Sequence, residues 1–400
     1  MTKKIPLYAV ILIVVCSVLI TFQITYVSVW KSFRQSELED SLDGGIDAIQ
    51  EKLGLIYDIY GENYIGQLDP EQLENGVMMG LVYGTGDRYG EYMDPETYAE
   101  FTSDAAGDTE GIGIMVIKNS DSELIEIVEI VPDSPASESE LQTGDLICKV
   151  GGEEVAAVGY NKALDLMLGK AGTVAEFTVY RNGEYIDFAI ERRHVEQVNV
   201  TYRLYEDGIT GIVRISAFDE VTASQFKNAV ADLQNQGAKR FVFDMRNNSG
   251  GLLDSVVEVL DYLLPEGTII RITGNDEMEE AIFSDAEELD APMAVLVNGA
   301  TASAAELFTA ALRDYEKSVT VGTTTYGKGS MQTVIPFTDG SALRITYKMY
   351  SPPKSDNYDG VGITPDIEIE LDEALSGKSI YTITDAEDNQ LQAAIAALNK

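Results

Sequence analysis

The sequence predicts a multidomain α/β (α+β) protein with an N-terminal membrane helix, and three observations support this prediction. An uncharged apolar stretch occupies residues 5–30. Residues 106–193 carry a pattern of many short strands separated by turns, with two short helices. Residues 209–365 instead alternate strands with amphipathic helices, which is typical of a mostly parallel sheet with right-handed crossovers.

The composition limits the classes of partner that the protein can bind. With 400 residues the chain can form two or three domains, and its net charge is −39. Such acidity argues against a nucleic-acid partner, which requires a basic face, and suits a solvated surface outside the cytoplasm. The two cysteines, Cys16 and Cys148, provide neither a disulfide framework nor a metal cluster. We therefore expect no metal.

Residues 1–34 are predicted to be a cytoplasmic tip and an uncleaved signal anchor. The 26 uncharged positions of residues 5–30 exceed the roughly 20 apolar residues that span a bilayer. No clean Ala-x-Ala cleavage site follows, and Val15 is too large for lipoprotein processing before Cys16. Basic residues lie on both sides of the stretch and compete to set its orientation. We expect a single-pass protein of the cell membrane with its catalytic part outside the cytoplasm.

Residues 35–105 are predicted to form a helical segment. An apolar pattern with helical period covers residues 36–64. A second helix opens at Asp69-Pro70-Glu71, because proline suits the first helical turn. The plain interpretation is a helical cap on the domains that follow.

Residues 106–193 are punctuated by glycine. Gly111 to Val116 form a turn into a strand, and Asn182-Gly183 between two strand-like runs is a strong hairpin signal. With the Leu-x-x-Gly-Asp-Leu-Ile run at residues 141–147, this order of motifs resembles a PDZ domain. The resemblance implies that a peptide adds a strand to the sheet edge and that loop N–H groups hold its terminal carboxylate. These N–H groups would belong to Ile112, Gly113 and Ile114.

A strand–turn–helix in residues 293–312 contains a candidate nucleophilic serine. The buried strand breaks at Asn298-Gly299 and enters a helix through small residues, so Ser303 can lie at a helix N-terminus among free N–H groups. The only histidine, His194, falls at the end of a domain and is more typical of a linker residue. A lysine can replace histidine as the base, and Lys328 stands between two glycines. Taken alone, these residues are more typical of packing at a helix start and of a solvated loop than of a catalytic site.

The segments 298–314 and 322–332 resemble the carboxy-terminal processing (tail-specific) serine proteases. The resemblance implies that Ser303 is the nucleophile, Lys328 the general base and Gln332 the third member of a Ser-Lys-Gln triad. Thr301 and Ala305 replace two serines of the family's Ser-Ala-Ser-Ala-Ser-Glu pattern, while the nucleophile position is kept.

A glycine loop at residues 244–251 resembles the family's Asp-Leu-Arg-Asn-Asn-Pro-Gly-Gly loop, with Ser249 in place of proline. The resemblance implies an oxyanion hole formed by Gly250 or Gly251 with the N–H of Ala304. A plain helix N-cap turn remains the alternative. Asp244 and Arg246 are more typical of a structural ion pair than of catalysis.

The resemblance covers residues 40–400, including the closing motif at residues 359–366, and implies a membrane-anchored serine endopeptidase. It would bind the C-terminal end of a protein substrate through the PDZ domain and cleave it by acyl-enzyme chemistry, without a cofactor. The family's N-terminal helices often form dimers, so a homodimer is also implied. Two alternatives are a non-catalytic PDZ adaptor and a crotonase-like acyl enzyme; the inserted PDZ domain disfavours the latter.

The predicted organisation has five parts. The first two are the membrane anchor and the helical segment. The PDZ domain follows, then a mixed α/β protease core, and finally an acidic segment that ends in a helix. Their ranges are residues 1–34, 35–105, 106–193, 194–370 and 371–400.

Overall fold

The computed structural model describes residues 45–105, 108–119, 122–275, 278–375 and 378–399. The chain divides into two compact units, Met1–Val77 and Met78–Lys400. The predicted membrane helix at residues 5–30 lies outside the described residues. Within the described ranges, no helix has the length and apolar character needed to cross a membrane.

The first two described helices are unusually exposed. Helix α1 is Ile46–Asn63 and helix α2 is Pro70–Gly84, and neither contains a buried residue. Large apolar side chains of α1 face solvent, among them Ile49 and Ile59, which are 47% and 50% exposed. Exposed apolar side chains at this density require a covering surface, since isolated ones are normal but contiguous ones are not. Strand β1 (Glu91–Met93) and helix α3 (Pro95–Ala105) follow.

The next part is a small antiparallel sheet in the spatial order β3-β4-β5-β7-β8, with β6 paired to β5. Between Asn182 and Gly183, both at positive φ, the chain turns from β7 into β8, which confirms the predicted hairpin. Strand β3 pairs only with β4 and therefore forms one edge. The strands are β2 (Asp108–Gly111), β3 (Ile114–Lys118), β4 (Ile125–Ile130), β5 (Leu146–Val150), β6 (Glu153–Glu154), β7 (Val174–Arg181), β8 (Glu184–Glu191) and β9 (Arg193–Glu196), and the helices are α4 (Val155–Val158) and α5 (Tyr160–Met167).

A six-stranded sheet forms the centre of the larger part, in the order β10-β11-β12-β15-β16-β19. Every neighbouring pair from β11 to β19 is parallel, and only β10 is antiparallel. The predicted, mostly parallel sheet is confirmed. The strands are β10 (Val200–Leu204), β11 (Thr210–Ile215), β12 (Arg240–Asp244), β15 (Met293–Val297), β16 (Ser318–Gly322) and β19 (Ile367–Glu368).

Helices cover both faces of this sheet, because its strands are apolar on both sides. Phe243 and Val295 pack into the larger cluster with helices α6 (Thr222–Gln236), α7 (Leu253–Leu263) and α8 (Ala304–Asp314). Val242 and Leu296, the neighbours in sequence, point the other way and pack against α9 (Asn389–Ala397). The C-terminal segment is therefore part of the core of this domain.

A second, antiparallel sheet has the order β1-β18-β13-β14, and β17 also pairs with β18. Strand β17 begins two residues after Lys328. This sheet and the parallel one together make the mixed α/β core that the sequence predicts. Its remaining strands are β13 (Gly267–Gly274), β14 (Glu279–Ser284), β17 (Ser330–Pro336) and β18 (Ala342–Ser351).

Candidate active site

Ser303 lies between the end of β15 and the first turn of α8. Its backbone has φ 55° and ψ −120°, a conformation that non-glycine residues rarely adopt. Strain of this kind is kept where the surrounding structure fixes it, often at functional sites. Ala304 is the first residue of α8, where N–H groups have no acceptor within the helix.

The loop after β12 is bound to the loop after β15, because these parallel strands are neighbours and end at the same edge. The Thr301 hydroxyl donates to the Met245 carbonyl at 2.8 Å. The Ala302 N–H donates to the carbonyl oxygen of Asn248 at 2.9 Å. These bonds hold the glycine loop beside Ser303.

Gly250 contacts the serine directly. A Cβ atom at this position would lie 2.7 Å from the Ser303 Cβ and 2.9 Å from the Ala304 nitrogen, so only glycine fits. The Gly250 N–H, however, donates to the Asn248 side-chain oxygen at 2.8 Å. Gly251 packs against Phe218, whose carbonyl oxygen would be 2.0 Å from a Cβ there. Of the two glycines, the structure thus brings Gly250 to Ser303, with its N–H engaged elsewhere.

Glu306 is the residue whose role the sequence interpretation missed. Its fully buried carboxylate accepts hydrogen bonds from the N–H groups of Ser303 at 2.9 Å and Lys328 at 2.8 Å. It also accepts the Gly327 N–H at 2.7 Å and the Thr325 hydroxyl at 2.5 Å. One carboxylate therefore joins the backbones of two residues 25 positions apart. The available signal was a Glu three residues after a serine N-cap, which is a capping-box pattern.

Lys328 is half-buried, and its pKa is lowered from the ordinary lysine value. Burial is the largest cause, and the positive charge of Arg344 adds to it, while Asp359 opposes both. The Nζ atom lies 4.6 Å from the centre of the Tyr89 ring. Within the part of the chain that the structure describes, the Lys328 amine has no ion pair and no hydrogen bond to the Ser303 hydroxyl.

Gln332 lies at a β-bulge in β17, where the register with β18 shifts. Its side-chain amide donates to Ser330 and to Thr346, each at 3.2 Å. The Thr346 hydroxyl in turn donates to the Asp87 carboxylate at 2.8 Å. Gln332 is therefore close in sequence to Lys328, but no hydrogen bond in the described residues links it to Lys328 or Ser303.

Arg246 forms the predicted ion pair with Asp244, at 2.8 Å. It also binds Asp388 at 2.7 Å and the Gln390 side chain at 3.0 Å, and all four residues are buried. Burial alone would raise the pKa of Asp244, but the charges of Arg246 and Arg214 reverse this and lower it strongly. The network anchors the start of the glycine loop to the C-terminal segment.

The small sheet carries a separate cleft of about 360 Å³ between the edge strand β3 and helix α5. Gly113 has φ 79°, and a Cβ there would lie 2.2 Å from the Ser134 Cβ. Ile112 is buried in the core of the sheet, and Ile114 begins β3. The three residues predicted to hold a carboxylate, Ile112, Gly113 and Ile114, all line this cleft, and residues 195–199 line it too. His194 is surface-exposed on β9, with its Nε2 3.5 Å from a Glu110 carboxylate oxygen.

Comparison with known proteins identifies two regions of the chain. The sequence model of peptidase family S41 matches residues 209–369, and that of the PDZ domain matches residues 111–191. A carboxy-terminal-processing protease of Bartonella bacilliformis is 34% identical over 329 residues, which cover 80% of this chain and 74% of that protein. A Staphylococcus saprophyticus protein described as a CtpA-like serine protease is 31% identical over 365 residues, covering 90% and 72%.

Among solved structures, a Bacteroides fragilis protein assigned to the S41 proteases aligns with a TM-score of 0.53. It is 20% identical, and the alignment covers 78% of this chain and 85% of that one. At this identity the likeness concerns the fold alone.

Proposed function

We propose that this chain, which belongs to the carboxy-terminal-processing proteases of peptidase family S41, is a membrane-anchored endopeptidase that uses Ser303 and Lys328. Family membership and the PDZ match make it a serine-type peptidase with a peptide-binding domain. One observation carries the assignment of the residues. The buried Glu306 carboxylate binds the backbone N–H of Ser303 and that of Lys328, and so ties the backbone of a serine to the backbone of a lysine of lowered pKa.

The proposed chemistry is acyl transfer. The Ser303 hydroxyl attacks the scissile carbonyl while the neutral Lys328 amine takes its proton, which passes to the departing amine of the product. Water then attacks the acyl-enzyme, and Lys328 again accepts and returns the proton. The Ala304 N–H and a glycine N–H of the Gly250–Gly251 turn would hold the oxyanion. Gln332 would orient the amine or the nucleophile.

The described arrangement must change before this reaction can proceed. Use of the Gly250 N–H in the oxyanion hole requires that its bond to the Asn248 side chain break, and the Lys328 amine has to approach Ser303. We infer that the structure represents a resting state. Binding of a substrate would supply the free energy for these local changes.

The PDZ cleft adjoins the active-site loop through a short series of contacts. Residues 195–199 line the cleft. The carbonyl oxygen of Asn199 accepts the Ser216 N–H at 2.9 Å, and the Phe218 N–H donates to the Gly250 carbonyl at 2.9 Å. A peptide that fills the cleft can thus move the segment that supports Gly250. We propose that tail binding shifts the population towards an aligned site.

The test of the proposed activity is digestion of an unstructured protein by the purified full chain, with Ser303→Ala for comparison. We expect the alanine variant to lose roughly 10³-fold or more of the activity, because the nucleophile is absent. An intact PDZ domain should let that variant still bind C-terminal peptides. If the unaltered chain binds such peptides but digests no protein, the PDZ adaptor is the correct function.

The proposed gating predicts stimulation by a tail. Addition of a non-cleavable C-terminal peptide should raise the rate on a small ester that does not need the PDZ cleft. A peptide of the same composition with an amidated C-terminus is the matched control, because it lacks the carboxylate. An unchanged rate, or an equal rate after deletion of residues 106–193, would leave the PDZ domain as a substrate tether only.

Membrane anchoring by residues 5–30 predicts a defined topology. The apolar length of this stretch suits one tilted helix, which would place residues 45–399 outside the cytoplasm. Protease added to intact spheroplasts should then degrade this part of the chain. If the chain is protected until the membrane is lysed, its orientation is the opposite of the proposed one. Release of the protein by salt washing would contradict a spanning helix.

The exposed apolar side chains of α1 support a homodimer through the N-terminal helices. Burial of such a surface against a second copy would remove it from water. Sedimentation of the detergent-solubilised chain should show a dimer, and Ile49→Glu together with Ile59→Glu should yield the monomer. A monomer before substitution would contradict the proposal.

A further inference from the structure

The loop of residues 86–90, just before β1, lies beside the proposed general base. This loop lies outside both regions that match known family models, residues 111–191 and 209–369. It nevertheless places the Tyr89 ring 4.6 Å from Lys328 Nζ, within the distance at which a cation interacts with an aromatic face. A residue remote from the recognisable motifs therefore contacts the proposed base.

The position of Tyr89 is fixed by bonds to β18. The Tyr89 N–H donates to the Asp87 carboxylate at 3.0 Å. That carboxylate also accepts the Thr346 N–H at 2.7 Å and its hydroxyl at 2.8 Å. Arg344 donates to the Tyr89 carbonyl at 3.3 Å. Burial would raise the pKa of Asp87, but the bonds from Thr346, with those from Tyr89 and Gly90, lower it overall. The loop thus remains anchored across the neutral pH range.

The ring of Tyr89, rather than its hydroxyl, is the part of the side chain that acts on Lys328. The hydroxyl oxygen is buried, with Tyr326 beside it. Burial raises the pKa of this hydroxyl, against the opposing charge of Arg88, so the phenol stays neutral. It cannot compete with Lys328 as a base.

Charged and titratable groups come close to Lys328 from every element packed around it. From β18, Arg344 repels the charged amine, and Asp359 on the loop after β18 attracts it. Glu306 on α8 and the Tyr350 hydroxyl bind the backbone of Lys328, at its N–H and carbonyl respectively. The loop side presents the neutral Tyr89 ring, whose centre also lies 5.4 Å from the Arg88 guanidinium, while Asp87 binds the Tyr89 N–H. Tyr89 is thus the apolar cover over the amine.

We infer that Tyr89 is a positioning residue for the general base, whose ring excludes water from the Lys328 amine and holds it in the site. Two effects of the ring oppose each other. Its π face favours the ammonium, whereas its exclusion of water favours the neutral amine. Of the two effects, water exclusion prevails. This role of Tyr89 rests on the proposed function, in which Lys328 must be neutral to accept a proton.

Three substitutions in the full chain separate these effects. Tyr89→Phe keeps the ring, Tyr89→Leu keeps an apolar cover without a π face, and Tyr89→Ala removes both. For Tyr89→Ala, we expect the acid limb of the kcat/KM profile on a short peptide to move up by about one pH unit, which is about tenfold less activity below that limb. Activity should recover at alkaline pH. The phenylalanine variant should keep the limb of the unaltered chain, and the leucine variant should show it at the same or a lower pH, because leucine keeps the cover without the π face.

Several outcomes would overturn the inference. A limb that moves to lower pH in Tyr89→Ala means that the π face dominates, and a leucine variant whose limb rises like that of alanine means that an apolar cover alone does not exclude water from the amine. A uniform loss at all pH values means a merely structural role. Loss of activity in Tyr89→Phe would assign the role to the hydroxyl. The exposed Tyr185, on β8, provides the control Tyr185→Ala, which should change neither the rate nor the profile.

A second readout does not depend on proteolysis. In the Ser303→Ala background, acetylation of Lys328 by acetic anhydride can be followed against pH by peptide mass spectrometry, which gives the pKa of this amine. Tyr89→Ala should raise that pKa and Tyr89→Leu should not. An unchanged pKa overturns the inference. If the pKa rises as expected in Tyr89→Ala while the unaltered chain hydrolyses nothing, Tyr89 does shield Lys328 from water. The proposed function would then be wrong although the inference about Tyr89 is correct.

Discussion

Replacement of Lys328 by arginine is expected to reduce peptide hydrolysis by roughly 10³-fold or more, because arginine remains protonated and cannot act as a base. A lysine has an ordinary pKa of about 10.4, so a neutral amine near pH 7 requires a decrease of about 3 pKa units, or roughly 4 kcal/mol. The structure supplies the direction of this change, first through burial and then through the charge of Arg344. The measurement is kcat/KM on an unstructured protein or short peptide.

The sign of the pH dependence follows from the lowered pKa. The neutral amine is present above the pKa of Lys328 and is lost as pH falls through it, so kcat/KM should rise with pH along a single limb. Lys328→Arg should show no such limb at any accessible pH. The matched control is Lys227→Arg on the surface of α6, where the lysine pairs with Glu258. Appreciable proteolysis by Lys328→Arg would remove Lys328 as the base.

The parts of the fold that the sequence predicted well are those with local signals. Alternation between apolar strands and amphipathic helices is visible within windows of about 15 residues, so the parallel sheet could be predicted. The hairpin at Asn182 and Gly183 has a turn type that nearly dictates its residues. Neighbouring parallel strands end at one edge, and therefore the loops after β12 and β15 could be placed together.

Contacts between distant segments could not be predicted in this way. The Tyr89 ring reaches Lys328 across 239 positions because β1 pairs with β18, an antiparallel pairing that no local pattern indicates. Arg246 was predicted to pair with Asp244, but its bond to Asp388 joins segments 142 residues apart. The antiparallel sheet and the anchored C-terminal helix are long-range features, and periodicity carries no information about their partners.

The hydrogen bonds that the site residues form at rest could not be predicted from the sequence either. A glycine loop beside the nucleophile predicts available N–H groups, yet the Asn248 side chain occupies the N–H of Gly250. Gln332 lies four residues from Lys328, but the bulge in β17 and its bond to Thr346 determine where its amide points. Residue type and spacing define which groups can act, whereas tertiary packing defines which of them are engaged at rest.

Glu306→Ala is expected to reduce hydrolysis by at least about 10²-fold, because misplacement of reacting groups by as little as about 1 Å can cost this much. Its carboxylate accepts hydrogen bonds from the backbones of both Ser303 and Lys328. Removal leaves four donors without this acceptor, and the two that are buried, the Gly327 N–H and the Thr325 hydroxyl, each cost about 1–3 kcal/mol, so the thermal midpoint should also fall. Glu306→Gln keeps the shape but brings an NH₂ group towards N–H donors, and it should give an intermediate loss.

Stability and alignment can be separated with a reactive phosphonate that labels the Ser303 hydroxyl. At a temperature where the Glu306 variants remain folded, the labelling rate should fall with kcat/KM, because the serine is no longer held beside its base. Glu258→Ala, which removes an exposed carboxylate from α7, is the matched control and should label at the rate of the unaltered chain. Normal labelling and normal kcat/KM in folded Glu306→Ala would show that the carboxylate contributes to folding only. The backbone conformation of Ser303 and the packing of β17 would then position the serine and the lysine without help from the Glu306 carboxylate.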